Sequence, residues 1–332
     1  MKPVRWGILS TAKIAREKII PALRQGANHE IVAIASRTSE SARAAAAKFG
    51  IPVAHGSYEA LIDDPNVEAI YNPLPNNLHV PLTLAAARAG KHVLCEKPVA
   101  ISADEAAQLR EIGGKVLIVE AFMVRYHPQW LRVRELLRAG RIGELRSVQV
   151  FFSYFNADAS NIRNRADIGG GALYDIGCYA IVAGRYFLEA EARRAIALID
   201  RDPTFGTDRT TSGLVDFGGG RRLDFTVSTQ SVPYQRVQLV GTTGRIEIQI
   251  PFNAPLGGTT RIFIDGGKAL DGSQIETETL PESDQYTLQG DAFARAVRGQ
   301  EALPYDVEDA ITNMRVVDAL FRSERSGRWE ST

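Results

Sequence analysis

The first third of the chain alternates short apolar runs with segments whose apolar residues recur at helical spacing. Apolar runs of this length predict buried strands, and the helical spacing predicts amphipathic helices between them. The predicted strands are residues 4–9, 29–35, 52–54, 69–72, 91–95 and 115–120. Strands that alternate with helices in this way indicate a parallel, doubly wound sheet. We therefore expect an α/β domain over residues 1–122.

After about residue 122 the pattern changes to long runs in which apolar and polar residues alternate. These runs predict strands over residues 147–155, 195–199, 211–217, 222–228, 236–240, 245–250 and 261–264. Helical spacing recurs over residues 128–138, 172–188, 286–297 and 307–323. Strands that follow one another without helices indicate a mostly antiparallel open sheet. We expect an α+β domain over residues 123–332.

Two glycine-rich segments, Gly218-Gly219-Gly220 and residues 241–244, predict hairpin turns in which glycines supply positive φ. The helices of this half of the chain are too few to cover both faces of its sheet. Uncovered apolar surface is a common site of association. We therefore expect a homodimer formed through the sheet, or a homotetramer built from such dimers.

Length and charge narrow the class of protein. A chain of 332 residues is too long for one ordinary hydrophobic core, and its length suits two domains. It has 39 basic and 39 acidic residues, so no global field attracts nucleic acid or an anionic membrane. Two cysteines, no membrane-spanning apolar run and no signal-peptide core indicate a cytoplasmic protein in a reducing compartment. No metal site is expected.

The first predicted strand runs into Ser10-Thr11-Ala12-Lys13-Ile14-Ala15, where a dinucleotide-binding fold usually has G-x-G-x-x-G. Small residues replace all three glycines. Backbone N–H groups and hydroxyls of Ser10 and Thr11 can still bind a pyrophosphate at the start of the helix. We expect residues 10–14 to contact the cofactor. The alternative is an ordinary strand–helix corner built of small residues.

The next predicted strand ends on Ser36 and Arg37 instead of the acidic residue that binds the ribose hydroxyls of NAD. A hydroxyl and a planar guanidinium suit a 2′-phosphate. This position therefore favours NADP, against the alternative that Arg37 is only a solvated arginine.

A polar loop follows the fourth predicted strand, at the sheet edge where loops line the cofactor. The candidate contacts in it are Asn72, Pro73, Leu74, Asn76 and His79. Asn76 and His79 could reach the nicotinamide ribose. Alternatively, the asparagine is a helix cap and the histidine only satisfies its neighbours.

The fifth predicted strand ends in Cys95-Glu96-Lys97-Pro98, which places Lys97 at the carboxyl edge of the sheet. We expect Glu96 and Lys97 to lie beside the cofactor. Pro98 restricts Lys97, and their peptide bond is a candidate for the cis isomer. The alternative is a surface lysine before the proline that opens the next helix.

The second chemical segment is Gly169-Gly170-Gly171 followed by the helix that contains Asp175 and Tyr179. The glycines allow the backbone to pass close to a ligand. Asp175 and Tyr179 are four positions apart, so they share one face of the helix. A nearby ammonium, such as that of Lys97, favours a phenolate. Alternatively, Tyr179 is a packing aromatic and Asp175 only interacts with the helix dipole.

These motifs together resemble the glucose-fructose oxidoreductase/inositol dehydrogenase (Gfo/Idh/MocA) family over essentially the whole chain. The resemblance rests on Glu96-Lys97-Pro98 and on Asp175-x-Gly177-x-Tyr179, and it implies that Lys97, Asp175 and Tyr179 are the catalytic set. Tyrosine at 179, with residues 7–15 and 120–128, resembles the branch of NADP-dependent D-xylose dehydrogenases, dihydrodiol dehydrogenases and aldose-aldose oxidoreductases. Inositol dehydrogenases, which have histidine there, resemble the chain less.

The resemblance implies an NADP-dependent oxidoreductase that takes hydride from C1 of an aldopyranose and yields a lactone. Tyr179 would be the general base, Lys97 would lower its pKa and hold the substrate oxygen, and Asp175 would orient the substrate or the lysine. Candidate substrate contacts are Arg125, His127, Arg163 and Tyr179. The alternatives are a cofactor-retaining aldose-aldose or glucose-fructose oxidoreductase, a trans-dihydrodiol dehydrogenase, or an NADP- or sugar-sensing protein without turnover.

Overall fold

The computed structural model describes residues 2–332 and divides the chain into two compact units. The first unit runs to Met123 and also includes Asp284–Ile311. The second unit comprises Val124–Ser283 and Thr312–Thr332.

The first unit is built on a parallel six-stranded sheet, as the strand–helix alternation predicts. Its strands are β1 (Val4–Leu9), β2 (His29–Ala35), β3 (Val53–His55), β4 (Ala69–Asn72), β5 (His92–Cys95) and β6 (Ile118–Glu120). The order β3-β2-β1-β4-β5-β6 reverses direction between β1 and β4. In open parallel sheets, ligands bind at the carboxyl edge beside such a switch point.

Helices connect these strands. They are α1 (Ile20–Gln25, after a π-helical segment Ala15–Ile19), α2 (Ser39–Phe49), α3 (Tyr58–Ile62), α4 (His79–Arg88) and α5 (Ala103–Ala107), with 3₁₀ segments at Asn76–Leu78 and Gln108–Ile112. Three of them begin at the side chain of Thr38, Ser57 or Ser102, which accepts a backbone N–H of the first turn. Local caps therefore decide where α2, α3 and α5 begin.

Residues 284–311 pack in the first unit, whereas the sequence pattern assigns them to the second domain. Helix α8 (Gln285–Val297) places Phe293 against Trp6, with ring centroids 5.2 Å apart. Asp291 Oδ1 lies 2.7 Å from His29 Nε2. An amphipathic helix does not encode which sheet it will cover, so only these contacts reveal its place.

The second unit contains a nine-stranded sheet. Its strands are β7 (Leu145–Phe155), β8 (Arg194–Arg201), β9 (Asp208–Gly218), β10 (Arg221–Ser228), β11 (Gln230–Gly241), β12 (Arg245–Ile248), β13 (Thr260–Asp265), β14 (Glu276–Leu280) and β15 (Glu330–Ser331). The order is β14-β13-β12-β11-β7-β10-β9-β8-β15, and β7 with β10 is the parallel pair in an otherwise antiparallel ladder. This confirms the mostly antiparallel sheet.

Helices cover one face of this sheet. Besides the 3₁₀ segment Met123–Tyr126, the helices are α6 (Pro128–Arg138), a π-helical segment Leu173–Gly177 that continues as α7 (Cys178–Leu188), and α9 (Val307–Ser326). Every residue of α7 is buried. Gly184 lets α7 approach β10, because a Cβ there would lie 3.1 Å from Leu223 Cδ2. A Cβ at Gly213 would lie 3.1 Å from Leu320 of α9.

The opposite face of the sheet is concave and lines an open cavity of about 700 Å³. Phe151, Leu198 and Tyr234 lie on it, and the Leu198 side chain is 78% exposed. Polar residues such as Gln149, Ser212 and Asp224 lie between them.

The two predicted turns need glycine for different reasons. Gly218, Gly219 and Gly220 all have positive φ between β9 and β10, as predicted. The turn between β11 and β12 instead uses glycine for space, because a Cβ at Gly241 would lie 2.1 Å from the carbonyl oxygen of Ile142.

Both cysteines, Cys95 and Cys178, are buried thiols without a disulfide. Among residues 2–332, no helix has the length and apolar character needed to cross a membrane.

Candidate active site

The predicted cofactor residues of the first unit lie at one edge of its sheet. Leu9 pairs with Ala35, and Asn72 pairs with Cys95, so β1, β2, β4 and β5 end at matching levels. The residues that follow these strands therefore share the carboxyl edge.

Ser10 adopts the backbone conformation that the first glycine of the dinucleotide motif usually supplies. Its φ is +112°, a value that side chains other than glycine rarely adopt. The Ser10 hydroxyl oxygen accepts the Ala12 N–H at 3.1 Å, and the Ser10 N–H donates to the Ala35 carbonyl at 3.1 Å. Ser10 therefore adopts a glycine-like positive φ at this turn, although the glycines of the motif are missing.

Ser36 and Arg37 follow β2 at this edge. Ser36 is buried and Arg37 is exposed. Burial raises the pKa of Tyr58, and the charge of nearby Arg37 opposes that rise. The guanidinium is thus near enough to the Tyr58 phenol to affect its pKa.

Two of the predicted cofactor contacts, His79 and Asn72, make internal hydrogen bonds. The His79 ring is fully buried, with Nδ1 2.7 Å from the Pro98 carbonyl oxygen and Nε2 2.7 Å from that of Leu74. Burial lowers the pKa of His79 to about 4, so the neutral ring donates one hydrogen to one of them. Asn72 is also buried, and its amide donates to the His79 carbonyl and to the Thr83 hydroxyl. These side chains therefore fix the shape of the loop through internal hydrogen bonds.

Within that loop, Pro73 and Leu74 are buried and Asn76 is partly exposed. Asn76 begins a 3₁₀ turn. Of the polar side chains predicted here, Asn72 and His79 are buried and Asn76 is partly exposed.

The turn that carries Lys97 is held from several sides. The peptide between Lys97 and Pro98 is cis, as the sequence suggests. Glu96 Oε1 accepts the Tyr71 hydroxyl at 2.5 Å, and Glu96 Oε2 accepts the Lys97 N–H at 3.3 Å. Glu120 Oε1 accepts the Val99 N–H at 2.8 Å. Lys97 is half-buried on this anchored turn, which is unlike a freely solvated lysine.

In the second unit, Asp175 lies in the π-helical segment Leu173–Gly177. Its Oδ2 accepts Arg163 Nε at 2.8 Å and the Tyr154 hydroxyl at 2.5 Å. Burial and then the Asp175 charge raise the pKa of Tyr154, so this phenol remains a donor. Asp175 is thus a paired carboxylate that orients a guanidinium.

Tyr179 stands at the start of α7 and is 5% exposed. Its ring centroid lies 6.1 Å from that of Phe152 and 5.5 Å from that of Phe252. Phe152 and Tyr154 are two positions apart on β7, so they point to the same side of the strand. Asp175 and Tyr179 therefore face the same side of β7.

Close internal packing requires glycine at three positions in and before the π-helical segment Leu173–Gly177. A Cβ at Gly170 would lie 2.6 Å from the Arg163 carbonyl oxygen. A Cβ at Gly171 would lie 1.9 Å from Asp208 Oδ1, and φ there is +123°. A Cβ at Gly177 would lie 2.7 Å from Leu173 Cδ1 and 3.5 Å from Val227 of β10.

The remaining predicted substrate residues differ in their exposure to solvent. Arg163 is 42% exposed beyond its contact with Asp175. Arg125 and His127 are buried before α6, and His127 Nδ1 accepts the Gln129 N–H at 3.1 Å as the cap of that helix. His127 therefore has a structural task.

Sequence reasoning missed Tyr154, Tyr71, Glu120 and Asp208. The first three are ordinary-looking strand residues that become important through contacts with residues far along the chain. No local motif marks them.

Comparison with known proteins assigns the family. Residues 4–115 match the model of an oxidoreductase family with an NAD-binding Rossmann fold, and residues 130–247 match the GFO/IDH/MocA C-terminal domain. A D-xylose 1-dehydrogenase (NADP(+)) of Haloferax volcanii is 40% identical over 97% of this chain and 98% of its own. The chain belongs to the GFO/IDH/MocA oxidoreductase family.

Solved members of the GFO/IDH/MocA family have the same fold. A 3-ketoreductase from Actinomadura kijaniata, in complex with NADP and TDP-benzene, matches with a TM-score of 0.90 at 32% identity, covering 97% of this chain and 98% of that one. An aldose-aldose oxidoreductase from Caulobacter crescentus matches with a TM-score of 0.90 at 26% identity over the whole of both chains. These GFO/IDH/MocA proteins act as oxidoreductases, so this chain is an enzyme of that class.

Proposed function

We propose that the protein is an NADP-dependent sugar oxidoreductase that moves hydride from an aldose carbinol carbon to NADP. The C1 carbon of a pyranose, giving a lactone, is the preferred site of oxidation. The observation that carries the proposal is the anchored turn of Lys97 at the carboxyl edge of the sheet. The similarity to a D-xylose 1-dehydrogenase supports the substrate class.

The carboxyl edge of the first unit would hold the cofactor. We assign the pyrophosphate to residues 10–14, whose first residue has the required positive φ. Ser36 and Arg37 would bind the 2′-phosphate, and Asn76 with the Glu96–Lys97 turn would border the nicotinamide ribose. The bound nicotinamide supplies the hydride acceptor.

We assign the proton of the oxidised hydroxyl to Tyr179 Oη. An ammonium favours the ionised form of a phenol, and Lys97 is assigned that task and the holding of the substrate oxygen. Asp175 would act through Arg163, because its Oδ2 already accepts from the Arg163 Nε. Arg163 would then read a sugar hydroxyl with its remaining donors.

The test is a panel of aldoses with NADP, followed by the absorbance of the reduced nicotinamide. For the best aldose, Tyr179→Phe should lower kcat by about 10²- to 10⁴-fold with NADP affinity retained, because the ring stays and the titrating oxygen is lost. Tyr186→Phe is the matched control, since Tyr186 lies on the same helix and packs against Trp130. Its activity should stay near wild type.

The double variant of Lys97→Ala with Tyr179→Phe should be much less than additive if the two residues serve one proton transfer. If Tyr179→Phe keeps more than about a tenth of the activity, another group is the base.

The relatives define the alternative outcomes of the same panel. Tight copurifying NADP with two-sugar turnover would favour an aldose-aldose oxidoreductase, the name of one structural neighbour. Turnover only with NADPH and a nucleotide-linked 3-keto sugar would favour a ketoreductase, as another neighbour is named. NADP oxidation of a trans-dihydrodiol would favour that dehydrogenase activity. Binding without turnover of any substrate would favour a sensor.

We also propose that the concave face of the second unit's sheet binds a second copy of this chain, giving a homodimer or a tetramer of such dimers. Exposed Leu198, Phe151 and Tyr234 on that face support the proposal.

A further inference from the structure

Asp208 is a buried carboxylate at the first residue of β9, and its exposed fraction is 1%. Its Oδ2 accepts the backbone N–H of Leu173 at 2.6 Å and the Thr211 hydroxyl at 2.9 Å. Leu173 is the first residue of the π-helical segment that contains Asp175. The carboxylate therefore binds the amino end of this segment, where helical N–H groups need an acceptor.

The approach of Asp208 to this segment is close enough to exclude other side chains. A Cβ at Gly171 would lie 1.9 Å from Asp208 Oδ1, so the chain just before the helix is in contact with the carboxylate. The positive φ of Gly171 turns the chain at the same place. Two independent features, a hydrogen bond and a close approach, thus locate the segment against Asp208.

Burial, hydrogen bonds and one nearby charge act on the Asp208 carboxyl group. Burial raises the pKa of Asp208 to about 6, while the hydrogen bonds from Leu173 and Thr211 and the charge of Arg201 lower it. Arg201 itself pairs with Glu324. The charge of Asp208 also helps to raise the pKa of Tyr154, whose hydroxyl donates to Asp175. Burial of this carboxyl group disfavours its charged form, yet the protein retains it beside the residues assigned to the reaction.

We infer that Asp208 is a positioning residue of the reaction: its carboxylate holds the π-helical segment that carries Asp175 and leads into Tyr179. This inference rests on the proposed roles of Asp175 and Tyr179. Without the acceptor, the Leu173 N–H loses its partner, and the start of the helix can shift. A shift of this kind moves Asp175 and Tyr179 without removing either, and small misplacements of reacting groups are costly in rate.

The first test needs no turnover. Hydrogen exchange of the peptide covering residues 171–179 should accelerate at least about fivefold in Asp208→Ala, because a local hydrogen bond is lost. Asp208→Asn keeps an acceptor for the Leu173 N–H and should exchange nearly as slowly as wild type. Unchanged exchange in Asp208→Ala would overturn the inference, whatever the fate of the proposed function.

The matched control is Asp202→Ala. Asp202 is also buried, and its Oδ1 accepts the N–H groups of Thr204 and Phe205 in the neighbouring β8–β9 connection. Its loss should destabilise that connection while exchange over residues 171–179 stays slow. Equal acceleration in both alanine variants would show that general loosening is the cause, which also refutes the inference.

The kinetic test uses the aldose found by the panel. Asp208→Ala should lower kcat about ten- to a hundredfold with little change in NADP affinity, and Asp208→Asn should restore most of kcat. If Tyr179→Phe abolishes turnover while Asp208→Ala does not lower kcat, this inference fails and the proposed function stands. Should Asp208→Ala not fold, Thr211→Val removes the second donor to Oδ2. It should also accelerate exchange over residues 171–179, and unchanged exchange would count against the role of Asp208.

Discussion

At the scale of single residues, Arg37 is the proposed reader of the NADP 2′-phosphate. It follows β2 on the exposed side of the sheet edge, near the Tyr58 phenol, and Ser36 beside it is buried. A planar guanidinium at this position suits a phosphate, whereas an acidic residue would repel one.

We expect Arg37→Ala to weaken NADP binding by at least about tenfold, or about 1.4 kcal/mol, and to leave NAD binding nearly unchanged. Titration of each nucleotide by calorimetry measures both affinities. Arg43→Ala is the control, because Arg43 is an exposed arginine on the following helix α2. An unaltered NADP preference in Arg37→Ala would mean that the phosphate is read elsewhere.

At the same scale, the structure separates residues that the sequence groups together. Asn76 and His79 lie three positions apart in one polar loop, yet Asn76 is partly exposed and His79 is fully buried. Burial of a polar side chain requires internal partners, and the Pro98 and Leu74 carbonyls supply them. Periodicity cannot reveal such partners, because the Pro98 carbonyl comes from another loop and the Leu74 carbonyl is reached only when the polar loop folds back on itself.

Among the elements, the corner between β1 and the first helix contains a strained residue. Ser10 combines φ of +112° with a side-chain hydrogen bond to the Ala12 N–H. Conformations of this kind cost about 1–3 kcal/mol for residues with a Cβ. The hydroxyl contact compensates for part of that cost.

We expect Ser10→Gly to be more stable than Ser10→Ala by about 1 kcal/mol. Both variants lose the hydroxyl. Glycine also relieves the backbone strain of about 1–3 kcal/mol, whereas the larger entropy of its unfolded chain destabilises the folded glycine variant by about 0.5–1 kcal/mol. Denaturant unfolding without nucleotide measures the difference. An alanine variant as stable as the glycine variant would show that the corner relaxes to negative φ.

For the whole molecule, the concave face of the nine-stranded sheet is the surface to explain. Helices α7 and α9 pack on the other face, whereas Leu198, Phe151 and Tyr234 are exposed on this one. Polar residues between them allow the face to contact water or a partner.

We expect Leu198→Lys to shift the protein from dimer toward monomer at micromolar concentration, because it buries a charge in the proposed interface. Leu270→Lys is the matched control, since Leu270 is a fully exposed leucine outside the strands. Light scattering measures the mass of both variants, and NADP binding checks their fold. A wild-type monomer would refute the proposed dimer.

The sequence by itself determined the two sheets and their strand directions, and it supplied the candidate site residues. Strand and helix periods are local properties, so apolar spacing revealed β1 to β13. The predicted ends differ most at β11, which begins at Gln230 and not at residue 236. Polar edge strands escaped it: β14 has the sequence Glu276-Thr-Glu-Thr-Leu280, in which one residue is buried. Lys97, Asp175 and Tyr179 became candidates because they lie in short contiguous motifs.

Only the tertiary structure decided which of these residues contact each other. The place of α8 beside β1, the pairing of Asp175 with Arg163 and Tyr154, and the buried task of His79 each join residues distant in the chain. Asp208 is the clearest case, because it lies 35 positions from the Leu173 N–H that it accepts. Local patterns record which face of an element is apolar, whereas a hydrogen bond across the fold depends on how all the elements pack.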